Sequence, residues 1–204
     1  RFLLETTGQI DSASEASKEV IAEMIIHGGF RPSAWSRKKQ SSSFLLMQGT
    51  ETLNPIVPNI LFRTFDLQMP YVYWENYLYV GPDRIGRAGG VQIFNMYPPT
   101  ESPAVLAGVE SVRIALDNSY SALRRASIIM IGETVDSILE TRSFSKVQNQ
   151  WILREVALSN PTTKDCTSFK VCSVALGITL DSSIFNPAST IQLPNFESNY
   201  FEDL

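Results

Sequence analysis

Tyr71-Val72-Tyr73-Trp74-Glu75-Asn76-Tyr77-Leu78-Tyr79-Val80 is the stretch on which the fold reading turns. Tyr71, Tyr73, Tyr77 and Tyr79 share one parity, and Val72, Trp74, Leu78 and Val80 share the other. Aromatic and β-branched residues repeating with period two describe a strand with two apolar faces. Gly81-Pro82-Asp83 then turns the chain. Outward from this point the same texture recurs. Phe44–Met47, Ile60–Leu67 between Pro58 and Pro70, Val91–Tyr97 before Pro98-Pro99, and Trp151–Leu158 each read as a strand. So does Lys170–Leu180, where Cys172, Val174, Leu176, Ile178 and Leu180 alternate with smaller or polar residues. Short apolar runs broken by Pro, Gly and Asn predict a mainly β fold, a sandwich or barrel, with the body in two packed sheets.

Two regions depart from this pattern. Ser12 and Glu15 have capping-box spacing, and Val20, Ile21, Met24 and Ile25 fall on one helical face before Gly28-Gly29. A helix over 12–27 follows from that reading. Between 102 and 142 both periods fit. Ser102-Pro103 can start a helix carrying Val105, Leu106, Val109, Val112 and Leu116, yet Val109–Leu116 also alternates as a strand. Leu123, Ile128, Ile131, Val135, Ile138 and Leu139 favour a second helix, interrupted near Gly132. The organisation that results is an N-terminal arm with one helix and a basic connector (1–43), a β-rich body (44–190) and an extended C-terminal arm (191–204).

The 204 residues carry 17 basic and 21 acidic side chains, a net charge of −4, and charged residues make up 19%, below the roughly 25% typical of soluble domains. Hydrophobic residues at 44% supply a full core, which excludes a wholly disordered chain. The chain opens on Arg1, as expected of a processed precursor or a fragment, and no stretch approaches the ~18 apolar residues of a spanning helix. Cys166 and Cys172 are expected as two free, buried thiols, which suits a reducing compartment.

Candidate chemistry is sparse. His27 is the only imidazole, placed by this reading at a helix end, so a Ser-His-Asp or Cys-His centre has no second candidate. No ligand set with metal spacing is present, and no metal or cofactor is expected. The glycine-rich segment Gly81–Gly90 lacks the Lys-Ser/Thr of a phosphate loop and reads as a surface loop, whose Arg84 and Arg87 could hold an anion or a partner carboxylate. Glu133, Asp136 and Glu140 share one face if that stretch is helical; a solvated face fits them better than general acid–base work. The tyrosines Tyr71, Tyr73, Tyr77 and Tyr79 could stack bases or sugars, but Glu75 in their midst favours a core or subunit-interface face. Arg31, Arg37, Lys38 and Lys39 form a basic cluster fit for an anion, RNA first. Phe196, Tyr200 and Phe201 punctuate an acidic tail with no cation after Lys170, which reads as an arm docking on a neighbouring subunit.

Two stretches carry a family resemblance. Gly132-Glu133-Thr134-Val135-Asp136-Ser137 followed by Arg142, and Gly89-Gly90-Val91-Gln92-Ile93-Phe94-Asn95-Met96-Tyr97-Pro98, resemble segments of picornavirus-like jelly-roll capsid subunits. The order departs from the family's, in which the first stretch precedes the barrel. The resemblance implies a non-catalytic, self-assembling coat protein of a virion or host cytoplasm. It implies as partners copies of itself or sister subunits, with RNA through the 31–39 cluster and no membrane. Two other readings stand beside it: a non-catalytic accessory subunit of a large organellar complex, cleaved after import, and a small α+β enzyme using carboxylates.

Overall fold

Short hairpins between successive strands dictate the architecture. The computed structural model describes residues 2–7, 21–27, 33–38, 45–56, 60–86, 89–119, 122–178 and 201–204. Its strands are β1 (Phe2–Thr7), β2 (Ile21–His27), β3 (Ser33–Lys38), β4 (Leu45–Gln48), β5 (Tyr77–Arg84), β6 (Gly90–Met96), β7 (Val109–Asp117), β8 (Leu123–Met130), β9 (Thr134–Val147), β10 (Gln150–Ser159), β11 (Cys166–Val171), β12 (Ser173–Val174) and β13 (Glu202–Asp203). Its α-helices are α1 (Thr64–Gln68) and α2 (Pro103–Leu106). The main sheet has eight antiparallel strands in the order β1-β11-β10-β9-β8-β7-β6-β5, so β5 to β11 form a meander. A three-stranded sheet, β2-β3-β4, and the pair β12-β13 complete the strand pairing.

This is a mainly β protein, but not the sandwich or jelly roll expected. A jelly roll needs crossings between two sheets, whereas here each strand from β5 to β11 pairs with its chain neighbour. The turns enforce this. Gln148 and Asn149 both have positive φ (48° and 66°) between the paired residues Val147 and Gln150. That is the two-residue geometry whose twist matches a hairpin. Gly132 (φ 90°) turns β8 into β9. The face that a second sheet would cover is plugged instead by the 60–74 segment. Phe62, Phe65, Tyr71 and Trp74 are buried there with Met96, Val112, Ile114, Ala126, Ile128, Leu139, Val156 and Leu158 of the sheet. Phe94, Ile114, Ala126, Leu139, Leu158 and Thr167 succeed one another across β6 to β11 in register, a continuous row on that inner face.

Several local expectations change. Ile21–His27 is a strand, not the end of a helix; residues 12–20 lie outside the described residues. Ile21, Ile25 and Ile26 are β-branched, and β-branched residues pack better on a pleated surface than in a helix. Among the described residues of 102–142 the only helix is the single turn of α2, begun as expected at Ser102-Pro103, with Pro103 at the first position and Ser102 Oγ accepting from the Ala104 N–H at 3.2 Å. The remainder forms β7, β8 and the start of β9. Ile60–Leu67 is not a strand: Arg63-Thr64-Phe65-Asp66 starts α1, the Asp66 carboxylate accepting from the Arg63 backbone N–H at 2.9 Å. The Gly81-Pro82-Asp83 turn is strand instead; β5 runs on to Arg84, and Pro82 is tolerated because β5 is an edge. Cys166 and Cys172 are free as expected, but half-buried and exposed rather than buried. Among the described residues no helix is long and apolar enough to cross a membrane.

Candidate functional site

Three features stand out on this scaffold. The first is a polar lock between plug and sheet. Arg63 Nε and Nη2 donate to Asp66 (2.8 and 3.0 Å), Nη1 to Asp136 (2.8 Å) and Nη2 to Ser137 Oγ (2.7 Å). Asp66 is 1% exposed. Burial alone would lower the Arg63 pKa, but the carboxylates of Asp66 and Asp136 outweigh it, so the guanidinium is held charged more firmly than usual. Asp136 reaches Arg63 because it is the extra residue of a bulge: Ile128 pairs with Ser137 and Ile129 with Val135.

Tyr71 lies beside this lock, 1% exposed, and among the described residues its hydroxyl has no hydrogen-bond partner. Burial, then the nearby Asp66 charge, raise its pKa far above the ordinary tyrosine value of about 10. The folded state therefore keeps a proton that the unfolded chain releases above pH ~10, and stability falls as pH rises beyond that point. Tyr71→Phe is expected to leave neutral-pH stability unchanged or raise it by about 1 kcal/mol, since an unpartnered buried hydroxyl is removed. It is also expected to weaken the loss of stability above pH ~10. Urea midpoints at pH 8 and pH 11 check this, and equal alkaline losses in both proteins would refute it.

The second feature is an aromatic shelf at the sheet edge. Tyr77 and Tyr79 pair with Met96 and Phe94, so they lie on the inner face, yet they are 58% and 50% exposed. Their rings flank Phe94 at 5.9 and 5.1 Å, and Tyr79 Oη donates to Gln92 Oε1 at 2.5 Å. The apolar face thus runs on past its cover. Leu78 and Val80, on the same edge strand, are more than half exposed as well. An exposed apolar edge strand is uncommon unless something uses it.

The third feature is a cavity of about 290 Å³ lined by Ile85, Gly86, Arg124, Arg125, Glu140, Thr141 and Arg142. Arg125 Nε donates to Glu140 Oε1 at 3.0 Å, its Nη2 contacts the same oxygen, and Arg142 Nη1 lies 3.2 Å from Glu140 Oε2.

The residues singled out from sequence disperse. Tyr71 belongs to the core, Tyr73 is exposed outside the sheet, and Tyr77, Tyr79 and the exposed Arg84 share β5. Arg37 and Lys38 lie in β3, opposite Glu23 and Ile21; Arg31, Lys39, Arg87, Phe196 and Tyr200 fall outside the described residues. Phe201 is half-buried, and the four last residues lie on their own chain: Glu202–Asp203 pairs with Ser173–Val174, and Arg154 Nη2 donates to the Leu204 carbonyl at 3.1 Å. Glu133, Asp136 and Glu140 do not share a face. Glu133 sits exposed in a turn, Asp136 binds Arg63, and Glu140 binds Arg125 and Arg142. Among the described residues no group of His, Cys, Asp and Glu could hold a metal. Sequence reasoning missed Arg63, Arg124 and Arg125, and met Arg142 only as part of the capsid resemblance. Only the Arg63/Asp66 spacing of a first helical turn was a usable signal.

No family model and no curated protein matches the chain in sequence. Solved structures match its fold. A DUF1329 family protein from Desulfovibrio piger superposes with a TM-score of 0.60 and 12% identity over 72% of this chain; the chain spans 61% of that protein's length. A domain described as an outer membrane lipoprotein-sorting protein, from Vibrio parahaemolyticus, gives a TM-score of 0.67 and 13% identity over 80% of this chain and 68% of its own. A LolA superfamily protein from Nitrosomonas europaea gives 0.49 and 8% over 68% and 59%. The likeness to the first two is one of fold. It overturns the capsid resemblance, and with it the coat-protein function and the virion or host-cytoplasm location, because the matching folds are not jelly rolls of coat proteins. The organellar accessory subunit, with its organelle interior, and the carboxylate enzyme fit these neighbours no better. RNA as a partner finds no support in them either.

Proposed function

We propose that the chain is a non-catalytic binding protein of the cell envelope that handles a lipid-modified protein client. The observation that carries this reading is the fold shared with the Vibrio lipoprotein-sorting domain over 80% of the chain. The exposed Tyr77/Tyr79 shelf supports it, because an apolar face continuing beyond its own plug suits an apolar ligand. The partner is then another protein, recognised through its acyl group.

The test uses the full chain and a synthetic diacylated lipopeptide, with the same peptide lacking acyl chains as control. Calorimetry is expected to show saturable binding of the acylated peptide alone. Tyr77→Ser combined with Tyr79→Ser is expected to weaken it about tenfold, roughly the loss of 1.4 kcal/mol of apolar contact. Equal binding of both peptides, or binding of neither, would remove the proposal.

A further inference from the structure

We infer that the cavity between the β5–β6 hairpin and strands β8 and β9 binds a phosphate-bearing anion. The inference goes beyond the acyl-client reading and does not depend on it. The cavity wall holds three guanidinium groups, Arg124, Arg125 and Arg142, against one carboxylate, Glu140. Both oxygens of Glu140 are engaged, one by Arg125 and the other by Arg142. Among the described residues no second carboxylate lines the cavity, so this lining carries an excess of two positive charges.

Arg124 is the uncompensated member. Its Nε is buried, and among the described residues it has no hydrogen-bond partner. Its guanidinium carbon lies 5.9 Å from the centre of the Phe144 ring, which holds the head in place without neutralising it. Among the described residues no carboxylate pairs with Arg124, so its charge is left to the cavity it lines.

Backbone geometry aims these cations. Ala115 pairs with Arg125 and Leu116 with Leu123, which makes Arg124 the extra residue of a bulge. Glu155 pairs with Ser143 and Val156 with Thr141, which makes Arg142 the extra residue of another. Bulges re-aim side chains, and here two neighbouring strands each turn an arginine into the same cavity. Planar guanidinium forks match tetrahedral oxyanions through paired N–H donors. An excess of two charges suits a phosphate dianion or monoester better than a single carboxylate. The phosphate could come from a lipid headgroup or from a soluble phosphate.

The experiment titrates the full chain with sodium phosphate, and with sodium acetate at equal ionic strength, reading thermal midpoint and heat of binding. Phosphate is expected to bind saturably and raise the midpoint, acetate not. Arg124→Gln is expected to weaken phosphate binding about tenfold or more. Arg142→Gln, whose side chain is half exposed, tests the same site where folding is not at stake. Vesicles of phosphatidylcholine with and without phosphatidic acid then separate the sources. Binding to the phosphatidic acid vesicles that is lost in the variants identifies a lipid headgroup, and phosphate binding without vesicle binding identifies a soluble ligand. An absence of saturable phosphate binding, or variants that bind phosphate like the parent, would overturn the inference.

Discussion

Replacing Arg63 by methionine is expected to destabilise the protein by about 3–5 kcal/mol, the cost of leaving a buried carboxylate without its partner. Asp66 is almost wholly buried, and Arg63 supplies both of its side-chain ion contacts while also reaching Asp136 and Ser137 across the sheet. The one side chain therefore neutralises a buried charge and fastens the plug to the β8–β9 hairpin. A loss of this size is a large fraction of the roughly 5–15 kcal/mol that holds a domain together. It should appear as a lowered urea midpoint with an unchanged slope. Asp66→Asn introduced beside Arg63→Met should recover part of the loss, because the uncompensated charge is then gone. A midpoint within error of the parent, or no recovery in the double variant, would show that the lock is not electrostatic.

The strands legible in the sequence are those that a simple alternation describes and a breaker ends. Val91–Tyr97 and Trp151–Leu158 match β6 and β10 to within a residue or so at each end. Val109–Leu116 fitted both periods, and the pairing of β7 with β6 and β8 decided it, a long-range term that no local window contains. Ile60–Leu67 misled because its apolar residues serve as a plug: Phe62 and Phe65 are buried against the sheet face rather than forming part of it.

The candidate sites were less legible, for a physical reason. Asp136, Arg124 and Arg142 acquire their directions from bulges, each of which inserts a residue into one strand and resets the parity that follows. Beyond the bulge at Arg142 the partner of Phe144 is Leu153, which packs against the core. Parity counted through Arg142 would place Phe144 on the opposite face. The Tyr71/Tyr73/Tyr77/Tyr79 row failed in the same way, since Pro70–Tyr73 is a turn of 3-10 helix, which breaks the period between the second and third tyrosines.

That turn closes the aromatic cluster on which the second large effect rests. Phe65→Ala is expected to cost about 3–5 kcal/mol, because a buried aromatic truncated to alanine loses its transfer free energy and leaves a cavity its neighbours cannot fill. Phe65 is 2% exposed, with the rings of Tyr71 and Trp74 at 5.8 and 6.3 Å. Those two rings contact each other edge-on at 6.3 Å, so they brace one another against collapse into the gap. Phe65→Leu retains most of the volume and should cost distinctly less. The same cluster forms the plug over the inner face, so the alanine variant should also open that face to small apolar molecules. Urea unfolding measures the stability change, and a fluorescent apolar dye measures the opening. The assignment of Phe65 as the keystone of the plug fails if the alanine and leucine variants unfold at the same midpoint.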